Sequence, residues 1–282
     1  KLGNRRAYKG SYNSLNSFTG DNLDICFEDI TQGWLLNYES WLRAKGNKET
    51  TISIQFRTLR SVYNKAIKRK CVGKEYYPFE DFHINKFNVH TDKRAISKND
   101  VLKIISADLT GKSEYVKFSR DIFVFSYLCG GINFCDVASL TKENILNGRL
   151  FYVRQKTGKQ INLCLTKNAS AIIDKYYKGG KGFLFPILDV TRHITATQRE
   201  NRLHKVLGQV DKSLKIVAQI AKVDVNLTTY VARHSYATVL KRSGVPTSII
   251  CESLGHSSER VTQIYLDSFE NEQIDEAMKN LL

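Results

Sequence analysis

No stretch of the 282 residues approaches the ~18 uninterrupted apolar residues of a membrane span. The first twenty residues are polar and carry Arg5, Arg6 and Lys9 but no apolar signal core, so no membrane partner and no export signal are expected, and the location is expected to be cytoplasmic. The six cysteines (Cys26, Cys71, Cys129, Cys135, Cys164 and Cys251) are scattered, with no C-x-x-C pair and no His at zinc-like spacing. They read as reduced structural thiols, and no metal site is expected from them. There is no G-x-x-x-x-G-K-S/T loop and no carboxylate cluster suited to two metals, so the chain is expected to work without nucleotide, metal or other cofactor. Internal repeats and low-complexity tracts are also lacking.

What is plentiful is positive charge. Lys and Arg number 43 against 28 Asp and Glu, a formal charge of +15, which points to a polyanionic partner, nucleic acid first. The alternative is a merely basic, well-solvated surface. At this length two hydrophobic cores are expected, hence two domains.

Residues 1–22 are rich in Ser, Asn, Gly and Tyr without periodicity and read as an extended lead-in. From Phe27, the apolar positions Ile30, Trp34, Leu35, Tyr38, Trp41 and Leu42 predict a helix that stops at Gly46. A second helix begins after Asn47, with Ile52, Phe56, Leu59, Val62, Tyr63, Ala66 and Ile67 on one face. It ends in Lys65, Lys68, Arg69 and Lys70, which either complement the helix dipole or form an edge that contacts phosphates. Pro78 closes this region, and residues 84–96, which include Lys93 and Arg94 as further DNA-contact candidates, read as a linker. The expected division is therefore a lead-in (1–22), a helical domain (23–90) and a second domain (91–282). In the second domain Ser97 to Asp100 has the form of a capping box, residues 117–129 predict an apolar helix running into Gly130-Gly131, and residues 149–165 predict a hairpin turning at Thr157-Gly158-Lys159. Helices are expected at about 167–177, 195–221, 229–243, 246–254 and 258–266, with a last amphipathic segment at Ile274, Met278 and Leu281. The fold class is mainly α (α+β), with one small antiparallel sheet.

The most informative stretch is residues 227–266. Arg233 stands in the run Tyr230-Val231-Ala232-Arg233-His234, followed 23 residues later by His256 in Leu254-Gly255-His256-Ser257-Ser258, and nine residues after that by Tyr265. This order and spacing resemble the C-terminal signature of the tyrosine recombinases, or phage integrase family, and the phrasing is most similar to integrases of Bacteroidetes mobile elements. The resemblance covers residues from about 25 to the end. It implies a SAM-like helical core-binding domain and a mixed catalytic domain closing as a clamp on duplex DNA. It also implies double-stranded attachment sites as partners, a homotetramer at synapsis, accessory DNA-bending proteins, and a nucleoid-associated location. The chain opens on Lys1 rather than Met, which leaves open the arm-binding domain that is common ahead of this region in such integrases.

The chemistry accounts for these residue types. Attack on a phosphodiester builds negative charge on the non-bridging oxygens, so fixed cationic donors help most in the transition state. Arg233 can hold two phosphate oxygens with a planar fork that stays charged. His256 can donate to phosphate or assist proton transfer. Surrounding cations would stabilise the phenolate of Tyr265, the expected nucleophile. The resemblance implies a 3′-phosphotyrosine link, and a lysine in the hairpin turn as general acid. Lys156 matches that position, with Lys159 as competitor and as a further DNA-contact candidate, and an ordinary solvated turn lysine as the bland alternative.

Two positions depart from the family pattern. The first catalytic arginine, in T-G-L-R-x-S-E-L, aligns with Asn133 in Gly130-Gly131-Ile132-Asn133-Phe134-Cys135-Asp136-Val137, and Tyr230 replaces the first His of H-x-L-R. Arg154 is an expected substitute for the arginine, because two residues before Lys156 on a strand it would leave the same face, ~6–7 Å away. It could equally contact nearby DNA backbone or a surface carboxylate. Asn133 also keeps open a catalytically weak or inactive DNA-binding relative, and the shared nucleophile keeps open a type IB topoisomerase-like enzyme.

Overall fold

The computed structural model describes residues 2–89, 94–180, 182–263 and 266. The chain divides into two compact units, Lys1–Asp92 and Lys93–Leu282.

The first unit is helical. It contains α1 (Leu2–Phe18), a 3-10 turn at Phe27–Asp29, α2 (Gln32–Ala44), α3 (Glu49–Lys68), and further 3-10 turns at Lys74–Tyr76 and Ile84–Lys86. The extended lead-in is corrected: most of it is α1. Few of its residues are apolar, but Tyr8, Ser11, Leu15 and Phe18 recur at helical spacing and dock on the two following helices. Ser14 Oγ and the Tyr38 hydroxyl are 2.7 Å apart, and Phe18 packs against Trp34, Tyr38 and Trp41. The start of α2 lies later than Phe27, at Thr31, whose hydroxyl accepts the Trp34 N–H. Phe56, fully buried on α3, centres an aromatic core. Phe87 stacks on it at 5.4 Å, and Ile84 is buried nearby, so the expected linker surrenders its first residues to this core. Isolated apolar residues in a polar run give no periodicity, and burial alone reveals them.

The second unit holds α4 (Lys98–Ser106), α5 (Glu114–Leu128), α6 (Phe134–Val137), β1 (Ile145–Leu146), β2 (Arg149–Val153), β3 (Gln160–Cys164), α7 (Lys167–Tyr176), α8 (Ala196–Ile220), α9 (Thr229–Arg242), α10 (Thr247–Ser253) and α11 (Glu259–Gln263). Ser97 caps α4 as its sequence implies, its Oγ accepting the Asp100 N–H at 3.0 Å. Apolar α5, buried on nearly all sides, packs against α7, α8 and α9. The sheet is antiparallel in the order β1-β2-β3, with Leu150 opposite Leu163 and Val153 opposite Gln160. Leu150, Tyr152 and Ile161 turn inward to the core, which fixes the register. The mainly helical reading with one small antiparallel sheet holds, with the hairpin and the late helices near their expected places.

Of the six thiols, Cys129 and Cys251 are buried, whereas Cys26, Cys71 and Cys164 are exposed and have no packing role. No described helix is long and apolar enough to cross a membrane.

Candidate active site

The site of the second unit is assembled where α5 ends. Gly130 and Gly131 both have positive φ, and at Gly131 (φ +63°) an added Cβ would sit 2.8 Å from the Cα of Arg233 and 2.9 Å from its Cγ. Only glycine lets α9 approach this closely. Arg233 is thereby buried to 1% exposure, its Nη1 donating to Gly131 O at 2.8 Å and its Nη2 to Leu254 O at 2.5 Å. The same Nη2 lies 3.0 Å from His256 Nε2, while His256 Nδ1 lies 3.0 Å from the hydroxyl of buried Thr262. A guanidinium only donates, so Nε2 carries the lone pair and Nδ1–H donates to Thr262, a tautomer assigned from the network.

His256 is 2% exposed, and its pKa is pushed down to about 3. Burial is the largest cause, followed by the positive charges of Arg233, Arg154, Lys156 and Lys159. The imidazole is therefore neutral at physiological pH.

Arg154 joins this group by a route other than the expected one. Strand β2 ends at Val153, so Arg154 and Lys156 lie in the hairpin turn and the shared strand face does not exist. Arg154 is nevertheless 3% exposed and points inward. Its Nη1 donates to Gly255 O at 2.7 Å, and its buried Nε has no hydrogen-bond partner. It forms no ion pair with a described carboxylate. Gly255 (φ +62°) admits it, since a Cβ there would lie 3.2 Å from Arg154 Cδ and 2.8 Å from Ile161 Cδ1.

Beside it lies Asp136, which the motif reading passed over although it occupies the acidic position of the aligned T-G-L-R-x-S-E-L pattern. It is buried, and its Oδ1 accepts the Gln155 N–H at 3.0 Å. Burial raises its pKa, and the Gln155 N–H and Arg154 pull the other way. Thr262, also missed, has no sequence signal that would mark it. Asn133 begins α6 without a side-chain cap bond.

The remaining expected residues fall as follows. Lys156 is exposed at the crest of the turn. Lys159, expected as a DNA contact, instead donates to the carbonyl of His256. Tyr230 lies on α9 three residues before Arg233, is 42% exposed, and meets His234 edge-on at 4.8 Å. In the first unit Lys68, Arg69 and Lys70 are exposed at the end of α3, but Lys65 is held by Tyr8, its Nζ 2.7 Å from the phenol oxygen. Arg57 and Arg60 line the same shallow concavity as Asn64, Lys65 and Lys68; their spacing along one helical face would have disclosed them. Arg94 is exposed. Tyr265, Lys93, Ile274, Met278 and Leu281 lie outside the described residues.

Two buried guanidiniums and a neutral imidazole are brought together from separate elements, with a turn lysine near enough to act on the imidazole electrostatically. The profile of the phage integrase SAM-like domain matches residues 1–88, and that of the phage integrase family matches residues 94–272. The chain belongs to the phage integrase family, the tyrosine recombinases, enzymes that break and rejoin DNA. It is 24% identical over 239 residues to the tyrosine recombinase XerD of Halalkalibacterium halodurans, covering 84% of this chain and 77% of the relative. It is 26% identical over 260 residues to XerC of Pediococcus pentosaceus, covering 88% and 80%. In fold it is similar to a lambda integrase dimer bound to a COC′ core site, with a TM-score of 0.69 at 16% identity, covering 96% of this chain and 93% of that one. It is also similar to the Tn1549 transposon integrase bound to a circular intermediate DNA, with a TM-score of 0.65 at 16% identity, covering 99% and 93%.

Two outcomes are expected from this geometry. Gly131→Ala forces a left-handed backbone onto a side chain and a clash with α9, and is expected to cost roughly 2–5 kcal/mol in urea unfolding; a loss below ~1 kcal/mol would contradict the close approach. For His256 the unfolded chain binds more protons between pH 6.5 and about 3, so stability present above pH 6.5 is lost as pH falls through that window. Melting temperature measured from pH 7.5 to 5 is expected to fall, and to fall less steeply in His256→Gln.

Proposed function

We propose that this chain is a site-specific recombinase in which Tyr265 attacks the scissile phosphate of a duplex attachment site while Arg233, Arg154, His256 and Lys156 do the remaining chemistry. The observation that carries this reading is the convergence of two buried guanidiniums, Arg233 and Arg154, around neutral His256. A buried guanidinium whose Nε lacks a partner is costly unless an anion completes it, and Arg154 is in that condition. A phosphate oxygen supplies the missing acceptor and restores the charge lost at Asn133.

In the proposed step the Tyr265 oxygen forms a bond to phosphorus as the bond to the 5′-oxygen breaks. The phenol proton is lost to water as the surrounding cations stabilise the phenolate, His256 Nε2 holds Arg233 in place by accepting from it, and Lys156 protonates the departing 5′-oxygen. Both arginines neutralise the oxygens on which charge accumulates. The product is a 3′-phosphotyrosine and a free 5′-hydroxyl; the ester bond is conserved and reverses without external energy. Asp136 accepts the Gln155 N–H beside Arg154 and positions both. Tyr230 stands where the family has a histidine and offers a hydroxyl to the phosphate. The exposed cations Arg57, Arg60, Lys68, Arg69, Lys70 and Arg94 carry the duplex backbone, together with Lys93.

Synapsis by four copies is supported by the fold likeness to a lambda integrase tetramer bound to a Holliday junction, with a TM-score of 0.64 at 16% identity. Integration and excision of a mobile element, with accessory DNA-bending proteins, is the biological setting that the resemblance suggests. Asn133 favours a second reading, a relative that binds DNA without cutting it.

One assay separates the two. A core site recovered by binding selection from random duplexes is nicked beside the cleavage position, and covalent protein–DNA complex is followed on a denaturing gel. Wild type is expected to trap DNA and Tyr265→Phe to trap none; a wild type that binds without trapping would falsify the enzymatic reading. Arg154→Ala is expected to slow trapping about 10²–10³-fold with affinity nearly unchanged. Unaltered trapping would remove Arg154 from the reaction.

A further inference from the structure

The turn joining β2 to β3 is fastened through every side chain it has except one. Arg154 Nη1 and Thr157 Oγ1 donate to Gly255 O at 2.7 and 3.1 Å, and Lys159 Nζ donates to the next carbonyl, that of His256. Gln155 reaches the opposite way, its Nε2 donating to Cys135 O at 3.2 Å and Ser139 Oγ at 3.0 Å. The backbone is closed as well, with Arg154 N–H donating to Lys159 O at 2.9 Å and Gly158 N–H to Arg154 O at 2.8 Å. Lys156 alone makes no side-chain hydrogen bond or ion pair with a described residue.

We propose that Lys159 is a positioning residue, a clamp that holds the returning arm of the turn on the His256 carbonyl and so sets where Lys156 delivers its proton. This deepens the reading above and rests on Lys156 as the general acid. Both lysines sit on a short turn of a strongly basic protein, where solvent or a phosphate would ordinarily receive an ammonium group. Lys159, although exposed, instead bends its ammonium back onto a carbonyl, a charge-assisted bond stronger than a neutral one.

The choice of carbonyl gives the contact its consequence. His256 presents its imidazole to Arg233 and its carbonyl to Lys159, so one residue fixes the distance between phosphate-holding groups and the loop that carries the acid. A lysine side chain has four rotatable bonds, and its delivery depends on how well its Cα is fixed. Gln155 anchors the turn before Lys156; Thr157 and Lys159 anchor it after. Without Lys159 a single hydroxyl bond remains on that side, and a misplacement of ~1 Å costs about 100-fold in rate.

The test exploits the leaving group. When the bridging 5′-oxygen of the nicked, selected core site is replaced by sulfur, the thiolate departs without a proton, and whatever acts only through the acid becomes dispensable. Single-turnover trapping is measured on both duplexes for wild type, Lys156→Ala, Lys159→Ala and Lys159→Arg, with melting temperature as the folding control. Lys159→Ala is expected to be about 10- to 100-fold slow on the oxygen duplex and close to wild type on the sulfur duplex, with DNA affinity nearly unchanged. Lys159→Arg, which keeps a cationic donor for the carbonyl, is expected to retain most of the rate. If Lys159→Ala melts too low to assay, Lys159→Gln takes its place with the same expectations.

Equal slowing on both duplexes, a normal rate on oxygen, or a loss of affinity that accounts for the lost rate would each overturn the clamp. Sulfur rescue of Lys156→Ala in those cases leaves the parent reading intact. If sulfur fails to rescue Lys156→Ala while wild type reacts with both duplexes, the assignment of the acid falls and the clamp falls with it.

Discussion

The arrangement depends on the burial of one permanently charged group. Arg233 is carried into the interior of the second unit by α9, where it meets carbonyl oxygens from two different segments, Gly131 at the end of α5 and Leu254 after α10. Hydrogen bonds to a charged donor contribute about 1.5–3 kcal/mol each, and breaking such a buried set costs more than it contributes, because the charge is left behind. The guanidinium therefore acts as a joint: three parts of the chain take their positions from it. That explains why two consecutive glycines interrupt the chain after α5. A side chain at Gly131 would occupy the space through which Arg233 passes.

The condition of His256 follows from the same burial. Surrounded by Arg233, Arg154, Lys156 and Lys159 and shielded from water, it cannot carry a proton near neutrality, and its lone pair faces Arg233. A cluster of cations around a neutral base is a poor place for another cation and a good one for an anion. The cluster thus favours an anion, and its cations are held by main-chain carbonyls rather than by carboxylates. Among the described residues, Asp136 is the acidic group tied into this cluster, and it is turned to the backbone of the hairpin turn.

Much of this was legible from the sequence, for identifiable reasons. The late helices and the hairpin follow from strong periodicity, and Arg233 and His256 follow from a motif whose spacing the fold requires. What the sequence concealed is tertiary in origin. Helix α1 has few apolar residues, and its docking rests on the hydroxyls of Tyr8 and Ser14 together with Leu15 and Phe18. Ile84 and Phe87 lie in a polar run and are claimed by an aromatic core centred on Phe56. Arg154 was singled out by a strand argument that fails, because the ladder stops one residue earlier, yet a turn that folds inward brings it to the same place. Lys159 was read as a rival acid and a DNA contact; its carbonyl partner lies 97 residues along the chain, beyond any local pattern.

The relocation of an arginine from the Asn133 position to the hairpin, in the arrangement proposed here, changes more than its address. An arginine opening α6 would be held by the helical core, independent of the sheet. An arginine at 154 shares its turn with Lys156, and its main chain is bonded to that of Lys159. Charge stabilisation at phosphorus and proton delivery to the leaving oxygen then depend on one mechanical element, so a displacement of the turn weakens both together. Arg154 keeps its own bond to the Gly255 carbonyl, so loosening the returning arm at Lys159 disturbs the acid alone, whereas release of the whole turn from Gly255 takes both groups out of register. A recombinase that must act only when its duplex is correctly seated gains selectivity from this, because a released turn leaves it without either function.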